Sequence, residues 1–194
     1  MDANFGSSLA KMPVLETDRL IMRKMTVRDA DDMFEYSCRP EVPQFLLWSP
    51  HESVNTTRRY LKYLQTQYAQ KKFFDWALDL KSTGKMIGTC GFSHIDDENN
   101  AAEVGYVLNS DYWGLGYAAE AVARVLKFGF EECGFNRIYA RILDGNVRSV
   151  RVAEKNLMRY EATHKNALLV KSEYKTYHEY AILKSEYEAF FLKT

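Results

Sequence analysis

Asp111-Tyr112-Trp113-Gly114-Leu115-Gly116-Tyr117-Ala118-Ala119-Glu120-Ala121 decides how this chain folds. An apolar strand, Ala102–Leu108, runs up to it, and an alanine-rich helix runs away from it. Two glycines one residue apart at a strand-to-helix turn let a ligand approach the backbone without interference from Cβ atoms. The first amides of the helix lack intrahelical acceptors, and the helix dipole makes them a seat for an anion. Trp113 and Tyr117 add bulk beside the glycines, so the loop reads as a shaped cradle for a phosphate or pyrophosphate. A tight turn that needs glycine only for packing would look the same over so short a stretch.

Upstream, Phe74, Trp76, Leu78 and Leu80 alternate as one strand face, Lys81–Lys85 reads as a turn, and Met86–Phe92 as the next strand. The polar run Asp96–Asn100 then leads into Ala102–Leu108. These connections are too short for crossovers, so the three strands form an antiparallel meander. Downstream, Ala118, Val122, Val125, Leu126, Gly129 and Cys133 mark one face of a long helix, with Gly134 at its left-handed cap. Ile138–Leu143 predicts a strand, Asn146–Lys155 a short helix, Met158–Thr163 and Tyr177–Leu183 further strands, and Tyr187–Phe191 a last turn or short helix.

Toward the start, Met1–Pro13 reads as a loose tail and Leu15–Arg23 as a first strand. Thr26-Val27-Arg28-Asp29 has capping-box spacing ahead of a helix carrying Ala30, Met33, Phe34 and Ser37. Ser53 caps a second helix with a Leu61, Leu64, Tyr68 stripe. Between them, Gln44–Trp48 is too apolar for an ordinary loop and serves either core burial or a substrate entrance. The resulting fold class is α/β (α+β): a mixed, mostly antiparallel sheet of about seven strands covered by about four helices. Residues 14–190 are expected to form a single domain behind a tail at 1–13.

With 194 residues, 46% hydrophobic and 14% aromatic content, the chain can bury a sizeable core. The 26 basic and 26 acidic residues cancel, which argues against a nucleic-acid partner held by phosphate neutralisation. Neither a membrane-spanning apolar run nor a signal-peptide pattern at Met1–Met12 is present, so a cytoplasmic location is expected. Cys38, Cys90 and Cys133 match no zinc spacing and read as small buried hydrophobes, with no metal expected.

Gly114-x-Gly116-x-x-Ala119 also satisfies the dinucleotide fingerprint in its Gly/Ala form, with Asp144 where a ribose-binding acid would sit. That fingerprint normally opens an alternating parallel unit, and here an antiparallel meander precedes it. A nicotinamide oxidoreductase is therefore disfavoured.

The order of elements around Tyr112–Ala121 resembles the GNAT superfamily of N-acetyltransferases, most nearly its Rim branch of ribosomal-protein-alanine N-acetyltransferases. Glu16–Leu20, Lys85–Phe92 and Asn146–Lys155 agree with that branch, and the likeness covers roughly residues 14 to 188. It implies acetyl-coenzyme A as cosubstrate and an amine acceptor, either a protein N-terminal amine or a small-molecule amine. The pyrophosphate is expected on the amides of Trp113, Gly114, Leu115, Gly116, Tyr117 and Ala118. The pantetheine arm is expected along Tyr106, Val107 and Leu108, where the strand splays from its neighbour, with Asn146 beside it. A non-catalytic coenzyme A-binding module of the same fold is the alternative, and exposed strand edges make a homodimer an expectation.

The implied chemistry is aminolysis of a thioester, in which the amine must lose a proton before or during attack. The likeness places Glu103 at a position used as base; His94 and His178 are alternatives on the intrinsic pKa of histidine. A backbone N–H near Val107 is the expected oxyanion donor. Many relatives protonate the leaving thiolate from a tyrosine seven residues beyond the asparagine; Ala153 stands there, and Ser149 is the expected substitute. The family ends its short helix with Gly-Phe, where this chain has Leu157-Met158, and Asn156 is expected to supply the left-handed residue.

Overall fold

The computed structural model describes residues 11–191. Eight strands form one sheet: β1 (Leu15–Glu16), β2 (Leu20–Arg23), β3 (Phe74–Leu80), β4 (Met86–Asp96), β5 (Ala101–Leu108), β6 (Arg137–Leu143), β7 (Arg159–Val170) and β8 (Glu173–Leu183). Their order in space is β1-β2-β3-β4-β5-β6-β8-β7. Every pairing is antiparallel except β5 with β6. Five α-helices accompany them among the described residues: α1 (Ala30–Ser37), α2 (Val54–Ala69), α3 (Tyr117–Lys127), α4 (Val147–Lys155) and α5 (Lys184–Phe191). The α+β class, the meander β3–β4–β5 and the order of elements are as the sequence predicts.

Strand alternation divides the core between the two faces of the sheet. Trp76, Leu78 and Leu80 pack with Val122, Val125 and Leu126 of α3, whereas Ala77 between them packs with Met33 and Tyr36 of α1 and Leu61 and Leu64 of α2. Helix α3 widens into a π-helical segment, Phe128–Cys133, and ends at Gly134, whose φ of 75° supplies the predicted left-handed cap.

Four local readings are corrected. Leu15–Arg23 is a hairpin of β1 and β2 rather than one strand, because Thr17 Oγ1 accepts the Leu20 N–H at 2.9 Å and turns the chain. Most of the predicted tail lies outside the described residues, but Met12 is buried and the Pro13 carbonyl accepts the Trp76 indole N–H, so the chain is anchored before residue 14. β7 and β8 run well beyond the predicted bounds.

The fourth concerns the exit of α4. Asn156 has φ −98° and ψ 20°. The left-handed residue is Leu157, with φ 61°. Leu157 N–H returns to Glu154 O and Met158 N–H to Ala153 O, a Schellman closure in which Leu157 occupies the place glycine usually takes. Asn156 is committed elsewhere: its buried side chain donates to Ala119 O and Val152 O, tying α4 to α3.

Candidate active site

The loop after β5 is held rigidly from below. Buried Asn109 accepts the Asp111 N–H at 3.1 Å, and Arg39 forks onto the Asp111 carboxylate at 2.6 and 2.8 Å. Trp113 Nε1 donates to Leu108 O at 2.8 Å. Gly114 and Gly116 have φ of 78° and 86°, values that only glycine adopts without strain. The first helical bond is Glu120 N–H to Gly116 O, and the backbone N–H groups of residues 114–119 have no protein acceptor among the described residues. A run of free amides at the positive end of a helix is an anion seat.

The sheet opens beside this loop. β5 and β6 pair only through Ala101, Ala102 and Glu103, after which β6 continues with β8 alone. The edge of β5 from Val104 to Leu108 therefore faces a gap. Asn109 N–H donates to Ile87 O across the antiparallel pair, so by alternation Val107 faces β4, while Tyr106 and Leu108 face the gap. Near Val107, the backbone N–H groups turned toward the gap are those of Tyr106 and Leu108.

A groove of about 510 Å³ occupies the gap. Its lining brings together Tyr106, Val107, Leu108, Trp113, Gly114, Gly116, Tyr117, Ala118, Asn146 and Ser149. Leu115 is outside it and 56% exposed. Asn146 Oδ1 caps α4 through the Ser149 N–H, and its Nδ2 donates to Ser149 Oγ at 3.0 Å. Tyr106 OH donates to the Ser149 carbonyl at 3.2 Å, locking α4 against the end of β5. Burial raises the Tyr106 phenol well above its ordinary range.

Glu103 lies on the far side of this assembly. Arg141 Nε and Nη2 both donate to its Oε2, at 3.0 and 2.6 Å, and it lines neither the groove nor the cavity described next. His178 is held between Thr163 Oγ1 at 2.7 Å and Asp144 Oδ1 at 3.0 Å, and His94 is exposed.

A second cavity of about 270 Å³ lies under α1 and α2 and shares Leu46, Tyr106 and Val107 with the groove. Its walls include Tyr36, Trp48, His51 and Tyr60, and its floor includes Asp75 and Thr89. Burial pushes the Asp75 carboxyl up to about 7, although the Thr89 side chain and the Trp76 N–H both pull it down. Burial pushes His51 below its ordinary value, and its Nδ1 lies 3.0 Å from Ser37 Oγ and 2.8 Å from Thr57 Oγ1.

Several contributors escaped the sequence reading. Arg148, Arg151 and Lys155 all line the groove from α4 and make no ion pair among the described residues. Arg148 lies over the Trp113 ring at 4.0 Å. Their i, i+3, i+7 spacing was the available signal. Asp75 sits in an alternating strand next to Trp76, where nothing marks which face is roofed by helices. Among the described residues no group of three or more His, Cys, Asp or Glu is placed to hold a metal, and no helix is long and apolar enough to cross a membrane.

A mixed sheet splayed at one point, a glycine loop of free amides beside the splay and a basic helix across it define an acyl-transferase architecture. Residues 19–159 match the family described as Acetyltransferase (GNAT) domain, and the chain belongs to that family of N-acetyltransferases. An N-acetyltransferase called p20 from Bacillus licheniformis is 32% identical over 176 residues, 91% of this chain and 99% of the relative. A GNAT-family acetyltransferase from Bacillus anthracis superposes with a TM-score of 0.79 at 28% identity, over 90% of this chain and 100% of that one. The microcin C7 self-immunity acetyltransferase, solved with acetyl-CoA and AMP, has the same fold at 16% identity and a TM-score of 0.76, over 86% of this chain and 93% of its own.

Proposed function

We propose that this protein transfers the acetyl group of acetyl-coenzyme A to a primary amine by direct attack on the thioester. The observation that carries the reading is the groove itself: free amides at residues 114–119 face three unpaired cations, Arg148, Arg151 and Lys155. Such a site suits a pyrophosphate with a further phosphate, the anionic end of coenzyme A. A Cβ built on Gly114 meets nothing within 4 Å, so the loop leaves the close approach such a ligand needs. The microcin relative's acetyl-CoA complex supports the same choice.

In this reading Trp113 to Ala118 hold the pyrophosphate, and Tyr106, Val107 and Leu108 flank the pantetheine with Asn146. The backbone N–H of Leu108 or Tyr106 receives the oxyanion. Ser149 Oγ accepts from Asn146, which leaves its own proton free to go to the departing thiolate. Glu103 serves as an anchor for β6 rather than as the base, because both Arg141 contacts converge on its Oε2 and it lines neither cavity.

Calorimetry with coenzyme A and release of free thiol with an amine panel test the proposal together. Binding with amine-dependent thiol release is the expected result. Binding without it for any amine would favour a coenzyme A-binding module, and no binding would overturn the reading.

A further inference from the structure

The second cavity has four properties that together point to a class of ligand. It meets the groove at Leu46, Tyr106 and Val107, so a molecule seated in it reaches the place where the thioester would lie. It contains two polar atoms, Tyr36 OH and Asp75 Oδ1, that are cut off from solvent and have no hydrogen-bond partner. Tyr36 is 1% exposed. Native proteins rarely leave buried polar atoms unpaired, and each one left so calls for a physical reason, a catalytic role among them. No lysine or arginine lines the cavity, so the Asp75 carboxylate has no cation of its own there. Trp48 and Tyr60 supply aromatic faces, which attract cations as well as apolar groups.

We propose that this cavity seats the acceptor, a small primary amine with an apolar or aromatic body, and that Asp75 pairs with its ammonium and takes its proton. The proposal rests on the acetyltransferase reading above. At about 270 Å³ the space falls below the usual range for drug-sized ligands, which favours a compact amine over an extended peptide. The groups facing Asp75 are Tyr36 on α1, Tyr60 and Tyr68 on α2, His51 on the connection and Cys90 on β4, and none of them supplies a positive charge at neutral pH.

The ammonium gives one proton to the Asp75 carboxylate, and the freed nitrogen lone pair forms a bond to the thioester carbonyl carbon. The carbon–sulfur bond breaks with its electron pair on sulfur, the second amine proton leaves nitrogen, and the thiolate ends protonated. Asp75 returns its proton to solvent, so each turnover releases one. A carboxyl held near 7 by burial matches this duty near neutral pH.

The test uses the full chain with 2-phenylethylamine, ethylamine and a ten-residue peptide bearing a free N-terminal alanine. Thiol release should be fastest with 2-phenylethylamine. For Asp75→Asn, coenzyme A affinity should stay within about twofold while kcat falls about 10² to 10⁴-fold and recovers at high pH, where free amine is abundant. Tyr36→Phe should raise KM for the amine with less effect on kcat. Wild-type kcat and pH profile in Asp75→Asn would overturn the role of Asp75, and preference for the peptide would overturn the acceptor class. Loss of coenzyme A binding by the wild-type protein would instead sink the acetyltransferase reading, which separates the two failures.

Discussion

Arg19 and Glu120, 101 residues apart in the chain, meet at 2.6 Å and fasten the first hairpin to the glycine loop. The contact is one of a set. Arg19 also donates to Leu115 O at 3.0 Å and lies 4.1 Å over the Tyr117 ring, while Thr17 Oγ1 donates to Glu120 at 2.5 Å. Burial pushes the Glu120 carboxyl up, but the bonds from Thr17 and Arg19 outweigh it and hold the group below its ordinary range. The hairpin turn thus fixes the loop conformation before any ligand arrives.

Arg19→Ala should therefore weaken coenzyme A binding more than it weakens the fold. Arg19 is 43% exposed in its pair with Glu120, so the stability loss should stay within about 1 kcal/mol. The affinity loss should be several-fold, from mobility restored to the loop. Calorimetry beside thermal melts checks this; a melt shifted by many degrees at unchanged affinity would show that the contact only holds the hairpin.

Gly116→Val separates backbone strain from ligand access. A β-branched residue at φ 86° costs about 1–2 kcal/mol, and the added Cβ would meet Arg19 Nη2 at 3.4 Å. Gly84 has φ 70° with nothing within 4 Å of an added Cβ, in a turn away from the groove. Gly84→Val should show a similar loss of stability with coenzyme A affinity intact, whereas Gly116→Val should lose both. Equal affinities in the two variants would remove the loop from the binding site.

Much of this was legible in the chain. The glycine loop, the meander and the capping box announce themselves through local spacing, because each is built from neighbouring residues. The hairpin at Thr17–Leu20 was not, since its turn depends on a hydroxyl that also reaches Glu120. The left-handed Leu157 was missed because Asn156, the better residue for that backbone on intrinsic grounds, is taken by Ala119 O and Val152 O. Asp75 and Glu103 look alike in sequence, each an acid within an apolar strand. What distinguishes them is a distant residue: Arg141 reaches one, and a roof of tyrosines isolates the other.

Glu103→Gln should leave the pH dependence of kcat in place. Both Arg141 contacts fall on Oε2, and an amide oxygen retains them without the charge. Because Glu103 is buried, the expected effect is a loss of about 1–3 kcal/mol in stability from the removed charge, with kcat within a few-fold of wild type. Titrating kcat against pH for this variant is decisive. A fall of two or more powers of ten at neutral pH with recovery at high pH would return the base to Glu103.

The last prediction concerns stability and runs opposite to the usual effect of ionised acids. Asp75 has its carboxyl raised from 3.8 to about 7, with burial the leading cause. In the unfolded chain it ionises near its ordinary value. Below that value it is neutral in both states and adds no penalty. As pH climbs from about 4 to about 7 the unfolded chain gains from ionisation while the folded one does not, so stability falls through that window. The interval corresponds to about 4 kcal/mol at most, and any water admitted to the cavity lowers it. Asp75→Asn removes the titration and keeps the shape, so the variant should melt above wild type at pH 8, with the gap closing toward pH 4. Melts of both proteins across that range, without ligand, make the comparison. Parallel curves would mean that the folded protein hydrates Asp75 as well as the unfolded chain does. A gap that closes toward pH 4 would show the folded protein holding a destabilising carboxylate that an incoming ammonium would neutralise.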